Sequence, residues 1–404
     1  MVSHTFPKPL DGDSDDDSDV CSISSIPPFS PAPSVGGSSF TSYDASMRSL
    51  SPTPSVWSMT SSLRAEAYKQ EFGRGLNNYS EIYRLPADAE ELDRLDLQHN
   101  MFIEIMGKYI PPLPEVMADD VPGEQKAVLD LGCGSGRWIM EAALDFPHCS
   151  AVAVDLVPMQ SPYMPPNCRS EVDDINLGLE HFYGDFNVVH CRLISSGIRD
   201  YAHLIDQISR VLRTGGLIDL MEFDFHCYDE NYHRINLDTS TLASPWWPRW
   251  LSFLEMAARN RGGDVDAATH LHDWVSNHQS FENVAYNQYW IPVTPWRTDS
   301  AFDMRIGTAM RDDIFSFLKS GRPLLLGSGV PEQLVNELET NAYKELMEGN
   351  MRHYIRVQCV YASQTTTAKS PKSKPRELIP QLSLDCSSLV LSRNVLSITS
   401  SSCI

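Results

Sequence analysis

Basic residues are scarce: 32 Lys and Arg stand against 53 Asp and Glu, a formal charge of −21 over 404 residues. A surface that tracks nucleic-acid phosphates or an anionic bilayer needs a clustered positive field, so direct binding to either is not expected. Long apolar runs are missing as well. No stretch approaches the ~18 residues of a membrane span. The opening MVSHTFPKPLDGDSDDD also lacks the apolar block of a secretory leader. Cysteine pairing signals are absent: the nine cysteines are scattered, with no CxxC among them. This excludes a structural zinc cluster or disulfide framework and fits reduced thiols in an intracellular protein, cytoplasmic or nuclear. No metal site is expected.

Apolar content is poor at both ends. Residues 1–62 are rich in Ser, Pro and Asp, with Lys8 and Arg48 against seven aspartates. Residues 363–404 are Ser-rich around the basic patch KSPKSKPR (Lys369 to Arg376). Such compositions bury too little apolar surface to offset chain entropy, so both segments read as disordered tails, and the basic patch as a solvated tail more than an import signal. Ser30-Pro31, Ser51-Pro52 and Thr53-Pro54 offer motifs for proline-directed kinases.

Between the tails, strands and helices alternate, the mark of an α/β layer architecture. Residues 88–110 place Leu92, Leu95, His99, Phe102 and Met106 on one helical face. Strands follow at 126–134, 150–157, 168–174, 186–193 and 216–225, with helices at 135–146 and 200–212. AVAV and NVVH, apolar on both sides, suit buried parallel strands covered by helices on both faces. Residues 280–293 and 352–362 read as an antiparallel edge pair, with helices at 249–260, 299–319 and 331–349. The domain therefore divides into a core of residues 63–227, carrying the first helices, and a segment 228–362 holding a helical insert and the edge strands.

The chemistry gathers at strand carboxyl ends. Val128-Leu129-Asp130-Leu131-Gly132-Cys133-Gly134-Ser135-Gly136 runs from a strand into a glycine turn where a ligand can approach the backbone. The spacing is GxGxG, whereas a dinucleotide site wants GxGxxG, so a nicotinamide enzyme fits less well. The bland reading is a turn with no ligand. Asp155 ends the next strand about twenty residues on, where a carboxylate can accept ribose hydroxyls. Asp173-Asp174 closes the third; one of the pair can reach an exocyclic amine, the other being a helix cap or solvated.

VLDLGCGSG (128–136), AVDL (153–156) and ISRVLRTGGLIDLMEFDF (208–225) resemble the motifs of class I S-adenosylmethionine-dependent methyltransferases. YRLPADAEELDRLDLQHNMF (83–102), PPNCRSEVDD (165–174) and VVHCR (188–192) resemble the fungal LaeA-like branch of that family, regulators of secondary metabolism. The resemblance spans about residues 77–362 and departs from the family at Phe186-Asn187, where Phe-Asp is usual, and at LRTGG for LRPGG. It implies a seven-stranded, mostly parallel Rossmann-like sheet with the last strand antiparallel and a helical lid insertion. It also implies S-adenosyl-L-methionine as cofactor, held by Asp130, Gly132, Cys133, Gly134, Gly136, Asp155, Leu156, Asp173, Asp174 and His190.

Methyl transfer needs in-line positioning first, and a base only for protonated nucleophiles. His190 is the candidate base, with Glu222 and His226 behind it, although a lone histidine is more often structural. PWWPRW (Pro245 to Trp250) reads equally as an aromatic lid or as ordinary packing. From the first helix Tyr83, Gln98 or His99, and from this segment Trp246 or Trp247, are expected at the cleft. The acceptor, a small molecule or a protein, is not named by the sequence. A regulatory scaffold that binds cofactor and protein partners with little turnover is the alternative.

Overall fold

The structure, a computed structural model, describes residues 61–365 except 160, 162, 239 and 240. The tail expectations, the Ser/Thr-Pro pairs and the basic patch fall almost wholly outside these residues. A short helix α1 (Ser61–Ala67) leads into a hairpin of β1 (Tyr68–Glu71) and β2 (Arg74–Asn77). Helix α2 (Ala89–Met106) follows because Asp88 caps it, accepting from Glu91 N at 3.2 Å. The same carboxylate takes two bonds from Arg74, at 2.7 and 2.8 Å, tying hairpin to helix.

After α3 (Leu113–Val116), the expected alternation begins: β3 (Ala127–Leu131), α4 (Arg137–Asp145), β4 (Ser150–Asp155), β5 (Cys168–Val172), β6 (Phe186–Arg192), α5 (Tyr201–Val211) and β7 (Leu212–Tyr228). Then come α6 (Trp246–Asn260), α7 (Ala267–Asn277), β8 (Phe281–Pro292), α8 (Ala301–Gly327), α9 (Glu332–Glu348) and β9 (Tyr354–Gln364). The sheet has seven strands in the order β5-β4-β3-β6-β7-β9-β8. Strands β3 to β7 are parallel, while β9 is antiparallel to both neighbours.

Alternation within strands sends side chains to opposite faces. Leu129, Val152 and Val189 pack with Ile205, Ile208 and Leu271 of α5 and α7. Val128, Ala151 and Val188 meet Trp138 and Ile139 of α4 on the other face. The helical insert forms a third core around Trp250, Leu254, Leu318 and Leu338. Helix α7 has no counterpart among the helices read from the sequence, although Ala267, Leu271 and Val275 give it a buried stripe. Among the described residues no helix is long and apolar enough to cross a membrane.

The buried face of α2 differs from the expected one, and the family departure finds its structural place. The face of α2 that is buried is largely polar, comprising Glu91, Arg94, Gln98 and His99 beside Met101 and Phe102, while Leu92 and Leu95 are half-buried. Its partner is α8, and that helix supplies the polar groups. Arg94 pairs with Glu91 at 2.6 Å and with Asp313 at 2.8 Å, Gln98 donates to Asp313 at 3.2 Å, and Ser320 donates to Glu91. Asn187, the family departure, lies at the entry of β6, at the opposite end from the strand tips. Its Oδ1 accepts from Ala127 N and from Arg213, each at 2.9 Å, and its Nδ2 donates to Glu124 at 3.1 Å. Asn187→Ala should therefore cost about 1–3 kcal/mol, the range for stranding buried partners. Chemical denaturation reads this loss, and calorimetry should show ligand affinity at the strand tips unchanged.

Candidate functional site

The tips of β3 and β4 build one end of a cleft. The N–H groups of Gly132 and Cys133 donate to Val154 O at 2.8 and 3.0 Å, folding the turn back over β4. Gly134 N then donates to Asp155 Oδ2 at 2.9 Å. Both Gly132 and Gly134 sit at positive φ, +73° and +56°, which glycine adopts without strain. A side chain at Gly134 would start 2.9 Å from Leu95 Cδ1, so helix α2 rests directly on the turn.

Gly132, Cys133, Gly134, Ser135, Asp155 and Leu156 all line this cleft. So do Asp130, Asp173, Asp174 and His190. Gly136 does not reach it: it is the left-handed N-cap of α4, with Met159 lying over it. Burial pushes the Asp155 carboxyl up to about 6, against the bonds from Gly134 and Val157. Asp174 is both cap and wall, its Oδ1 taking Asn176 N at 3.0 Å and Nδ2 at 2.8 Å. Asn176 also donates to Gly197 O at 2.9 Å, locking this loop to the one after β6.

His190 lies beside Asp130 because β3 and β6 pair those two residues in register. Its Nδ1 is 2.8 Å from Asp130 Oδ1, so the carboxylate holds the Nδ1–H tautomer and leaves Nε2 as the acceptor. Trp138 stacks on the ring at 3.8 Å and 7°. Glu222 is a correction to the sequence reading. It is fully buried away from the cleft lining, and its Oε1 accepts from Ile194 N at 2.8 Å, Ser195 N at 3.1 Å and the Tyr201 hydroxyl at 3.1 Å. It shapes the loop after β6, and burial pushes its carboxyl up to about 7. His226 is likewise absent from the cleft, 3.8 Å from Glu255.

Of the five lid residues, Tyr83, Gln98 and Trp247 line the cleft. His99 instead accepts from Arg192 at 3.1 Å, and Trp246 donates its N–H to Glu345 at 2.7 Å, which caps α6 from α9. The Trp-rich segment thus divides its work: Trp247 is wall, while Trp250 is packed against Gly321. Sequence reasoning missed Arg94, Asp313, Phe223 and Phe225, all of them in the lining. It also missed Leu193, which like Phe225 lines the cleft at positive φ, +56° against +54°. Non-glycine residues there are uncommon and cluster at ligand sites.

Residues 97–286 match the family model described as a methyltransferase domain. Over 297 residues, 73% of each chain, this protein is 51% identical to the secondary metabolism regulator LaeA of Coprinopsis cinerea. The chain belongs to this LaeA family of methyltransferase-domain proteins. Methyltransferase pytC of Aspergillus terreus is 29% identical over 316 residues, 76% of this chain and 91% of that one. Phosphoethanolamine N-methyltransferase 2 of Haemonchus contortus, solved with S-adenosyl-L-methionine, aligns over 67% of this chain and 57% of its own at 15% identity, with a TM-score of 0.36.

Two outcomes follow from this geometry. Gly134→Val, forced to φ +56° and against Leu95, should lift α2 from the turn and abolish ligand binding at the strand tips, read by calorimetry. Glu222 ionises near 4.5 in the unfolded chain and about 7 in the fold, so its stabilising effect is complete at low pH and is lost as pH rises through 7. Glu222→Gln keeps the acceptor oxygen without the charge. The melting temperature of the variant minus that of the wild type should climb between pH 4.5 and 7 and level off above.

Proposed function

We propose that the chain transfers a methyl group from S-adenosyl-L-methionine to an acceptor. The observation that carries this reading is the glycine turn bonded through Gly134 N to Asp155 at the carboxyl edge of a parallel sheet, roofed by α2. The donor set fits that cofactor: a backbone turn open to close approach, a half-buried carboxylate, and a pair of acids on the neighbouring strand. Bound there, S-adenosyl-L-methionine supplies an activated methyl on a sulfonium sulfur.

The chain's own residues then do the following. Gly132, Cys133 and Gly134 present backbone to the methionine end, with Asp130 beside its amine. Asp155 accepts the ribose hydroxyls on lone pairs that its two backbone bonds leave over. Asp173 or Asp174 accepts the adenine amine, and Leu156 lies against the same ligand. His190, held by Asp130 and Trp138, takes a proton at Nε2 when the nucleophile carries one.

A regulatory role, with protein partners and an intracellular location, cytoplasmic or nuclear, is the second reading. The name of the 51% identical relative, a secondary metabolism regulator, supports the regulatory role.

Calorimetry with S-adenosylmethionine tests the first reading. Asp155→Ala should weaken binding by about 1–3 kcal/mol, the range for charge-assisted bonds. Wild-type affinity should rise as pH passes about 6, where Asp155 ionises. NADH should not bind. Saturable NADH binding lost in Asp155→Ala would replace the methyltransferase reading with an oxidoreductase.

A further inference from the structure

The cleft is larger than its cofactor end. Its lining runs from the glycine turn and Asp155 on to Phe223, Phe225, Ile355, Met310 and Phe317. The sheet order divides this space. The glycine turn and Asp155 stand at the tips of β3 and β4, whereas Phe223, Phe225, Ile355 and Val357 come from β7 and β9, two to four strand positions away. At the usual strand spacing that is about 10–19 Å. His190 on β6 stands between the two ends.

Met310 and Phe317 of α8 close the far compartment from above. Its walls are therefore apolar and aromatic. The polar corner is made by Arg94, Gln98 and Asp313. The amide of Gln98 donates to Asp313 at 3.2 Å, and among the described residues nothing donates to its Oε1. Arg94 is already shared between Glu91 and Asp313, and Arg192, the second guanidinium of the lining, bonds His99 at 3.1 Å within the field of Asp130, Asp219 and Glu141, so carboxylates outnumber the cations and an anionic group gains little there.

We infer that this compartment takes the methyl acceptor, and that the acceptor is a small, uncharged, largely apolar molecule bearing a hydroxyl; the inference rests on the methyl-transfer reading above. A polypeptide segment entering the same space would strand its N–H and C=O groups against apolar walls. A planar hydroxylated molecule loses little by entering, and its hydroxyl finds Gln98 Oε1 or His190 Nε2. In the reaction the hydroxyl oxygen forms the new O–C bond as the C–S bond of the sulfonium breaks. Sulfur keeps the bonding pair, and the hydroxyl proton passes to His190 Nε2.

The test uses the full chain saturated with S-adenosylhomocysteine, titrated with 2-naphthol and followed by calorimetry and tryptophan fluorescence. Saturable binding is expected, with naphthalene-2-sulfonate at least tenfold weaker. Met310→Trp, which fills the far compartment, should cut 2-naphthol affinity tenfold or more while S-adenosylhomocysteine affinity stays within twofold. If that variant does not fold, Gln98→Leu replaces it: 2-naphthol affinity should fall several-fold and that for naphthalene should not. The inference is overturned if 2-naphthol fails to bind the loaded protein, if a folded variant binds it as the wild type does, or if labelled methyl appears on a lysine-rich peptide and never on 2-naphthol. Failure of the wild type to bind S-adenosylhomocysteine, seen before any probe is added, overturns the methyl-transfer reading itself and this inference with it.

Discussion

One buried guanidinium holds the roof on the molecule. Arg94 of α2 reaches Asp313 of α8 across 219 positions of sequence while also holding Glu91 on its own helix, and Phe317 lies 5.2 Å beneath its charge. Ions this deep lose their hydration, and the arrangement is stable only because each charge is met by hydrogen bonds as well as by an opposite charge. Removing one partner of such a pair typically costs about 3–5 kcal/mol, since the other is left uncompensated. Everything above the strand tips depends on this contact. With α2 and α8 clasped, Leu95 rests on the glycine turn and Met310 lines the cleft. Without it, the sheet would keep its two covering layers and lose the enclosed space between its tips and the insert.

Below that roof, ordinary sheet physics sets the chemistry in place. Parallel pairing of β3 with β6 puts Asp130 beside His190, and the turn after β3 falls onto Asp155 because β4 is the neighbour on the other side. Glu222 belongs to the same economy of placement. It takes two backbone donors and one hydroxyl from the segment after β6, fixing the loop whose Leu193 adopts a left-handed backbone. A carboxylate buried for shape alone is unusual, and its raised ionisation range follows from that burial.

The parallel core was legible because its strands are apolar on both faces and end in glycine or acid. Runs such as AVAVD leave little else to be, and Asp130, Asp155, Asp173 and Asp174 do reach the cleft as their strand-end positions imply. Gly136 was legible as a turn residue but not as one turned away from the cleft, since the difference is made by Met159, more than twenty residues on. The polar face of α2 could not be read locally. Arg94 and Glu91 look like solvated helix positions until α8 supplies Asp313 and Ser320, and Gln98, expected at the cleft, gains its partner Asp313 from the same helix. Helix α7 is short and its signal is spread over AATHLHDWVSN, where two histidines and an aspartate dilute the stripe. Phe225 at positive φ arises from a bulge in the β7–β9 pairing, a feature of register that composition does not encode.

The position of β9 has a consequence for how the chain assembles. It is the last described strand in sequence, yet it lies between β7 and β8 in space and is the strand to which β8 is bonded. As the polypeptide leaves the ribosome, β8 emerges with no strand to join, and two long helices are made before Tyr354–Gln364 arrives. Until then β7 and β8 both present open edges, the kind of backbone that invites pairing with other chains. Completion of the sheet thus waits until Tyr354–Gln364 has been made, and that delay favours a cell that shields nascent chains until the closing strand is inserted.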